Sequence, residues 1–159
     1  MTNGKHVLVD WLRDAHAMER TSVDSLDRLA DRFSRHPDIA VHLREHWRES
    51  LAQVEALEVC LKRLGSDTST FKDIARRFVG IAQAYAGVVS LDEPVKDCLA
   101  AYASMHFQIA TYLSLRAAAE ELGEPDIARM CADYIQRVRA MAGWLEQQIS
   151  VVTLEFVRP

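Results

Sequence analysis

A single carboxylate interrupts a mostly apolar helical stripe in the first third of the chain. Residues spaced by three and four positions there read Leu8, Leu12, Ala15, Glu19, Ser22, Leu26, Leu29 and Phe33. This spacing is typical of a helix face packed inside a bundle. A carboxylate on such a face is costly unless it is protonated, paired or bound to a metal ion. Because helix bundles with metal centres place glutamates at interior mid-helix positions, Glu19 is the first candidate metal ligand.

Four long helices and one short helix are predicted to position this carboxylate. The long helices extend over about residues 5–33, 38–64, 90–122 and 125–153, with Pro37, Gly65 and Gly123 marking the joints. The short helix is expected at about residues 70–85. Short joints make helices 1 and 2, and the last two long helices, antiparallel, whereas the connection over residues 65–90 is long enough to cross the bundle. The predicted fold is an all-α, ferritin-like four-helix bundle, with the short extra helix in the long crossover between helices 2 and 3. Residues 1–159 are expected to form a single domain.

Antiparallel packing brings the middle of the second helix beside Glu19. If the first joint is centred near residue 35, Glu19 lies opposite a position near 51. The second helix has polar residues at this depth, and the third long helix has an amide near its midpoint. These polar residues are His46, Glu49, Gln53 and Gln108. This polar layer around Glu19 is a candidate metal-binding set.

This candidate set is incomplete for two metal ions. A carboxylate-bridged dimetal centre takes one Glu from each of two helices and a Glu-x-x-His motif from each of the other two. The chain contains no Glu-x-x-His and has the reversed order in His42-x-x-Glu45 and His46-x-x-Glu49. The last helix offers no carboxylate at this depth, and its nearest charged residues are Arg137 and Arg139.

Three interpretations of Glu19 therefore remain. The favoured one is a buried hydrogen-bonded network with His46 or Gln53 that sets the helix register. The second is a site for a single metal ion, and the third and least favoured is an oxidase-type dimetal centre. For Tyr102, Tyr112 and Tyr134, packing in the core with the hydroxyl group satisfied is favoured over a role as radical groups or as neighbours of metal ligands.

Composition excludes several functional classes. The formal net charge of −4 argues against general electrostatic binding to nucleic acid or to an anionic membrane. No apolar run approaches the roughly 20 residues that span a bilayer. Three widely spaced cysteines favour free, buried thiols in a reducing compartment, and hence the cytoplasm. Neither a phosphate-binding glycine-rich loop nor a Gly-x-Ser-x-Gly elbow occurs.

Four segments resemble the YciE/YciF family of bacterial ferritin-like proteins. They are residues 12–19, 46–53, 106–112 and 140–145, and the resemblance extends over about residues 7–150. It implies a ferritin-like bundle that is often dimeric, is associated with bacterial stress responses and in some members holds metal at its centre. The family usually has a glutamate where Gln108 stands and a pair of glutamates where Arg137 and Val138 stand. By this resemblance Glu19 and Glu49 match ligand positions of the family, and the candidate metal site is Glu19, Glu49, His46 and Gln108. The centre departs from the family pattern at Gln108, and no acid on the last helix replaces the missing pair.

The resulting prediction is a ferritin-like bundle with an incomplete metal centre and a non-enzymatic structural or stress-associated role. No cofactor is favoured, although iron or manganese stays open. The alternative is a metal-binding protein that holds one or two iron or manganese ions and has storage or oxidase-type activity. A homodimer is expected because the C-terminal residues Val151–Val157 are apolar enough to require burial. The identity of any other protein partner is left open.

Overall fold

The protein, seen here in a computed structural model, is described at residues 3–66 and 93–158. These residues form four long helices: α1 (Asn3–Arg32), α2 (Pro37–Arg63), α3 (Glu93–Glu121) and α4 (Pro125–Val157). No strand occurs in these two segments. The predicted all-α, ferritin-like four-helix architecture is therefore confirmed. The short helix predicted at residues 70–85 lies outside the described residues.

Each neighbouring pair of helices in the bundle is antiparallel. Helix α1 packs against α2 and α3, and α4 packs against α3 and α2. Between α1 and α3, Arg32 pairs with Asp97 while Glu19 meets Tyr112, so rising numbers on one helix face falling numbers on the other. Mid-helix residues of all four helices consequently reach the same depth in the bundle.

Helix ends follow the proline and glycine signals in the sequence. Pro37 and Pro125 occupy the first turns of α2 and α4, where their missing N–H groups cost nothing. Gly65 and Gly123 adopt φ angles of 73° and 70°, which non-glycine residues rarely take. The following amide groups then bond back to the helix, as in Ser66 N–H to the carbonyl oxygen five residues earlier at 2.9 Å. Helix α4 continues beyond the predicted end near residue 153, because residues 154–157 contain no such breaker.

The core lies along the stripe predicted for α1 and along one buried face of each of the other three helices. Five leucines of α1 and α2 are fully buried, and burial of each contributes about 1.5–3 kcal/mol. They are Leu8, Leu12, Leu43, Leu57 and Leu61. The stripe of α4 is buried from Ile127 to Leu145 and again at Val152. Glu19 has 0% exposure and thus sits inside this apolar core, as its place on the stripe predicts.

One histidine of α1 is buried against a carboxylate of α2. His16 is buried, and its Nε2 lies 3.0 Å from a carboxylate oxygen of Glu58 on α2. Its position one residue beyond the stripe residue Ala15 turns it toward the α1–α2 groove, where a polar partner compensates burial.

Among the described helices, none is both long and apolar enough to cross a membrane.

Candidate site at the bundle centre

Four side chains, one from each helix, meet at the middle of the bundle. The Tyr112 hydroxyl donates to Glu19 Oε1 at 3.1 Å, and the Tyr134 hydroxyl donates to Glu19 Oε2 at 2.9 Å. Ser50 Oγ lies 2.9 Å from the Tyr134 hydroxyl oxygen. None of the four side chains is more than 1% exposed. We call Glu19, Ser50, Tyr112 and Tyr134 the central cluster.

Burial controls the protonation of the central cluster. It raises the pKa of Glu19 to about 7, although the hydrogen bonds from Tyr134, Tyr112 and Ser50 act in the opposite direction. Burial, together with the charge of Glu19, also raises the pKa values of both tyrosines well above their ordinary value. The phenols therefore stay protonated and act as donors, while Glu19 changes its charge near neutral pH.

His46 and Glu49 form a separate pair beside the central cluster. His46 is buried, its Nδ1 lies 3.0 Å from Glu49 Oε2, and its ring is nearly parallel to that of Tyr134 at 6.4 Å. Burial lowers the pKa of His46, while Glu49 opposes that effect. Because a carboxylate can only accept, the neutral imidazole carries its proton on Nδ1. His46 Nε2 is then an acceptor, and it has no hydrogen-bond partner in residues 3–66 and 93–158.

Gln108 lies one helical turn before Tyr112 on α3. Its Nε2 donates to the Ser22 hydroxyl at 3.1 Å, which ties α3 to α1 at a second level. The side-chain oxygen of Gln108 is buried and has no hydrogen-bond partner among the described residues. A second unpaired acceptor therefore lies in the polar interior next to the central cluster.

The four residues predicted as a metal site are thus only partly brought together. Glu19 occupies the centre, but its described hydrogen bonds involve neither Glu49, His46 nor Gln108. Glu49 has 40% of its side chain exposed and bonds to His46. The metal-ligand assignment stays a prediction. A buried hydrogen-bonded network around Glu19 was correctly expected, but the direct donors to Glu19 are Tyr112 and Tyr134, and Gln53 joins the network through its hydrogen bond with Tyr112.

The sequence did not identify Ser50, Tyr112 and Tyr134 as partners of Glu19, although all three lie on the buried faces of their helices. Ser50 is the stripe residue nearest to position 51, the predicted depth of Glu19. The family resemblance favours Glu49 as a ligand, yet successive residues are rotated by about 100° around a helix, which turns Glu49 toward the surface. Tyr112 and Tyr134 were read as ordinary core residues. The useful signal was that a buried tyrosine hydroxyl group needs an acceptor, and that the carboxylate of Glu19 is such an acceptor.

Neither Arg137 nor Arg139, the charged residues of α4 nearest to this depth, neutralises Glu19. Both side chains are exposed. In the described part of the chain, the hydroxyl donors of the central cluster therefore provide the compensation for the buried charge.

The residues of the centre do not fit a carboxylate-bridged dimetal site. Ser50 and Gln53 have the i, i+3 spacing of Glu-x-x-His and are both buried, but they offer a neutral hydroxyl and a neutral amide. Tyr112 and Tyr134 offer protonated phenols. Within residues 3–66 and 93–158, no group of three or more His, Cys, Asp or Glu side chains could hold a metal ion. A single buried carboxylate cannot balance the charge of two divalent ions.

The helix order, the antiparallel pairing and the polar centre define a bundle of the ferritin-like class. The chain belongs to the family described as Domain of unknown function (DUF892), whose sequence pattern matches residues 3–158. This agrees with the YciE/YciF-type resemblance seen in the sequence.

Solved structures support the same class. A protein from Xanthomonas campestris pv. campestris has 26% identity and a TM-score of 0.82, over 98% of this chain and 96% of that one. The E. coli stress protein YciF has 19% identity and a TM-score of 0.81, over 96% and 98%. The bacterioferritin of Desulfovibrio desulfuricans, which has a diiron site, has 16% identity and a TM-score of 0.74, over 95% and 82%. The latter two similarities concern the fold alone.

Proposed function

We propose that this protein is a non-enzymatic, stress-associated structural bundle of the cytoplasm whose centre is closed by hydrogen bonds in place of a metal ion. The observation that carries the proposal is the state of Glu19: each carboxylate oxygen already accepts a hydrogen bond from a buried phenol. The likeness in fold to the E. coli stress protein YciF supports the stress-associated role.

The central cluster performs a structural task in this proposal. Glu19 connects α1 to α3 through Tyr112 and to α4 through Tyr134, and Ser50 adds α2. A buried polar network of this kind favours the one helix register in which all its members are satisfied. A metal ion bound through both oxygens of Glu19 would compete with both phenol hydrogen bonds.

Elemental analysis tests the metal-free centre. Wild-type protein and the Glu19→Ala variant are purified from cells grown with added iron and manganese. Glu55→Ala, which removes an exposed carboxylate of α2, serves as the matched control for metal on the surface. We expect far less than one ion per chain in all three proteins, and a wild-type unfolding midpoint that a chelator does not change. Stoichiometric metal that only Glu19→Ala loses would refute the proposal.

A second candidate function is the binding of one iron or manganese ion, with storage or oxidase-type activity. The two unpaired acceptors, His46 Nε2 and Gln108 Oε1, favour it because they lie in the polar interior beside Glu19 and lack donors among the described residues. Titration of the metal-free protein with Mn²⁺ alone, followed by electron paramagnetic resonance, tests this candidate. Tight binding that His46→Gln and Gln108→Leu both weaken would support it.

We also propose that the protein is a homodimer. The last turns of α4 expose the apolar side chains of Val151, Leu154, Phe156 and Val157, with Val157 64% exposed. A second copy of the chain would bury these side chains. Light scattering during gel filtration should give twice the chain mass of 18.0 kDa for the wild type and the chain mass for Phe156→Lys. A wild-type monomer at every concentration would contradict the proposal.

A further inference from the structure

The two phenols of the central cluster share one proton acceptor. Tyr134 and Tyr112 donate to opposite oxygens of Glu19 at 2.9 and 3.1 Å, and their ring centroids lie 5.0 Å apart with an interplanar angle of 70°. Two oxidisable rings in contact with each other therefore have the same carboxylate within hydrogen-bond distance. Both rings are at most 1% exposed, so water does not compete for these hydrogen bonds.

This arrangement removes the main obstacle to oxidising a buried tyrosine. Loss of an electron turns a phenol into a strongly acidic radical cation, which is costly in an apolar interior unless its proton leaves at once. A proton can transfer within an existing hydrogen bond to a base at such a distance. In the central cluster the base is the carboxylate of Glu19, and the proton needs to move only along the bond that the phenol already makes.

The charge balance favours the same step. Before oxidation, a neutral phenol and an ionised carboxylate carry one negative charge in the core. Afterwards, a neutral phenoxyl radical and a neutral carboxylic acid carry none. Burial penalises charged forms relative to neutral ones, so removal of the electron relieves the cost of the buried anion. A tyrosine at the surface gains no such relief because water already solvates its surroundings.

We propose that Tyr112 and Tyr134, with Glu19 as proton acceptor, form a one-electron donor site that is the preferred resting place of an oxidising equivalent in this bundle. An external one-electron oxidant accepts the electron through the surrounding protein. The phenol O–H bond breaks, the proton forms a new O–H bond on Glu19, and the oxidant is reduced by one electron. The proposal goes beyond the structural role above and does not depend on it.

Tyr102 provides a matched comparison on the same helix as Tyr112. Its ring packs edge-on against His106 with centroids 4.5 Å apart. It has no carboxylate at hydrogen-bond distance within the described residues. Tyr102 should therefore be a poorer final site for the oxidising equivalent, although it is more accessible from solvent.

Flash photolysis with a ruthenium tris-bipyridine complex and an electron-accepting quencher tests the proposal on chelator-treated protein. Rapid freezing and electron paramagnetic resonance then identify the radical. We expect a tyrosyl signal in the wild type, its retention in Tyr102→Phe, and its loss in the double variant Tyr112→Phe/Tyr134→Phe. Glu19→Gln, which keeps both rings but removes the proton acceptor, should also lose most of the signal. Circular dichroism verifies that each variant is folded.

Several outcomes would overturn the proposal. A tyrosyl signal that Tyr102→Phe removes would assign the radical elsewhere, as would a signal that survives the double variant. An unchanged yield in Glu19→Gln would exclude the carboxylate as the proton acceptor. The wild-type spectrum decides even if the double variant does not fold, since a tryptophanyl signal in place of a tyrosyl signal refutes the assignment.

Discussion

Glu19→Gln removes the titrating group of the central cluster while preserving the size and planar shape of the side chain. In the folded protein burial raises the pKa of Glu19 from 4.5 to about 7, whereas the unfolded chain keeps the ordinary value. Between these two values the folded state binds a proton that the unfolded state has released. The free energy of unfolding therefore falls as the pH rises from about 4.5 to about 7 and is independent of this group outside that window.

The expected magnitude follows from the width of the window. Each pH unit within it changes the free energy of unfolding by about 1.4 kcal/mol, so ionisation of Glu19 costs the folded state about 3 kcal/mol in total. The glutamine variant does not pay this electrostatic cost. We therefore compare the free energy of unfolding of Glu19→Gln with that of the wild type at two pH values. The difference should favour the variant by about 3 kcal/mol more at about pH 8 than at about pH 4.5.

Urea unfolding of both proteins across this pH range measures the effect. Subtracting the two curves removes the contributions of other titrating groups, including His46, provided that they behave alike in both proteins. Glu55→Gln, at an exposed position of α2, is the matched control for the loss of a carboxylate outside the core. A flat difference curve for Glu19→Gln, or one that falls with pH, would refute the claim that burial without a cationic partner raises the pKa of Glu19.

Three further predictions concern the network, the helix ends and the thiols. Tyr134→Phe should destabilise the fold by about 1–3 kcal/mol in urea unfolding at a pH where Glu19 is ionised, because one carboxylate oxygen loses its donor; an unchanged midpoint would contradict this. Gly143→Ala, at a helical position with open space around the added Cβ, should stabilise by about 0.5–1 kcal/mol, whereas Gly123→Ala, at φ +70°, should destabilise by roughly 1–2 kcal/mol; changes of equal sign would refute the helix-end assignment. Burial raises the pKa values of Cys98 and Cys131 to about 11 and about 12, so iodoacetamide should modify both mainly after unfolding, and rapid labelling of the native protein would be contrary to expectation.

Much of the fold could be predicted because its determinants are local. The stripe through Leu8, Glu19 and Phe33 reports helix period and burial together, and Gly65 and Gly123 mark helix ends through their positive φ. The predicted end of α4 near residue 153 is too early. The helix continues to Val157 because residues 154–157 contain no helix-stopping signal. Packing contacts with other helices, rather than a local signal, decide where such a segment ends.

The site was harder to predict because it depends on rotation as well as depth. Depth alone placed Glu19 opposite position 51, where Ser50 faces the interior and the Glu49 side chain is 40% exposed. On α3, Gln108 and Tyr112 lie one helical turn apart on the same buried face, and Gln108 was chosen because it is the amide nearest the midpoint of the helix. Charge alone was a poor guide, since neutral hydroxyl groups provide the compensation for the buried carboxylate.

Anomalous diffraction from crystals of protein produced with added iron tests the central claim most directly. The claim is that hydrogen bonds from Tyr112 and Tyr134, rather than a metal ion, hold the buried carboxylate of Glu19. We predict both hydroxyl oxygens within hydrogen-bond distance of Glu19 and no anomalous peak at the iron edge in the bundle centre. A peak at coordinating distance from Glu19, with the tyrosines turned away, would contradict the account.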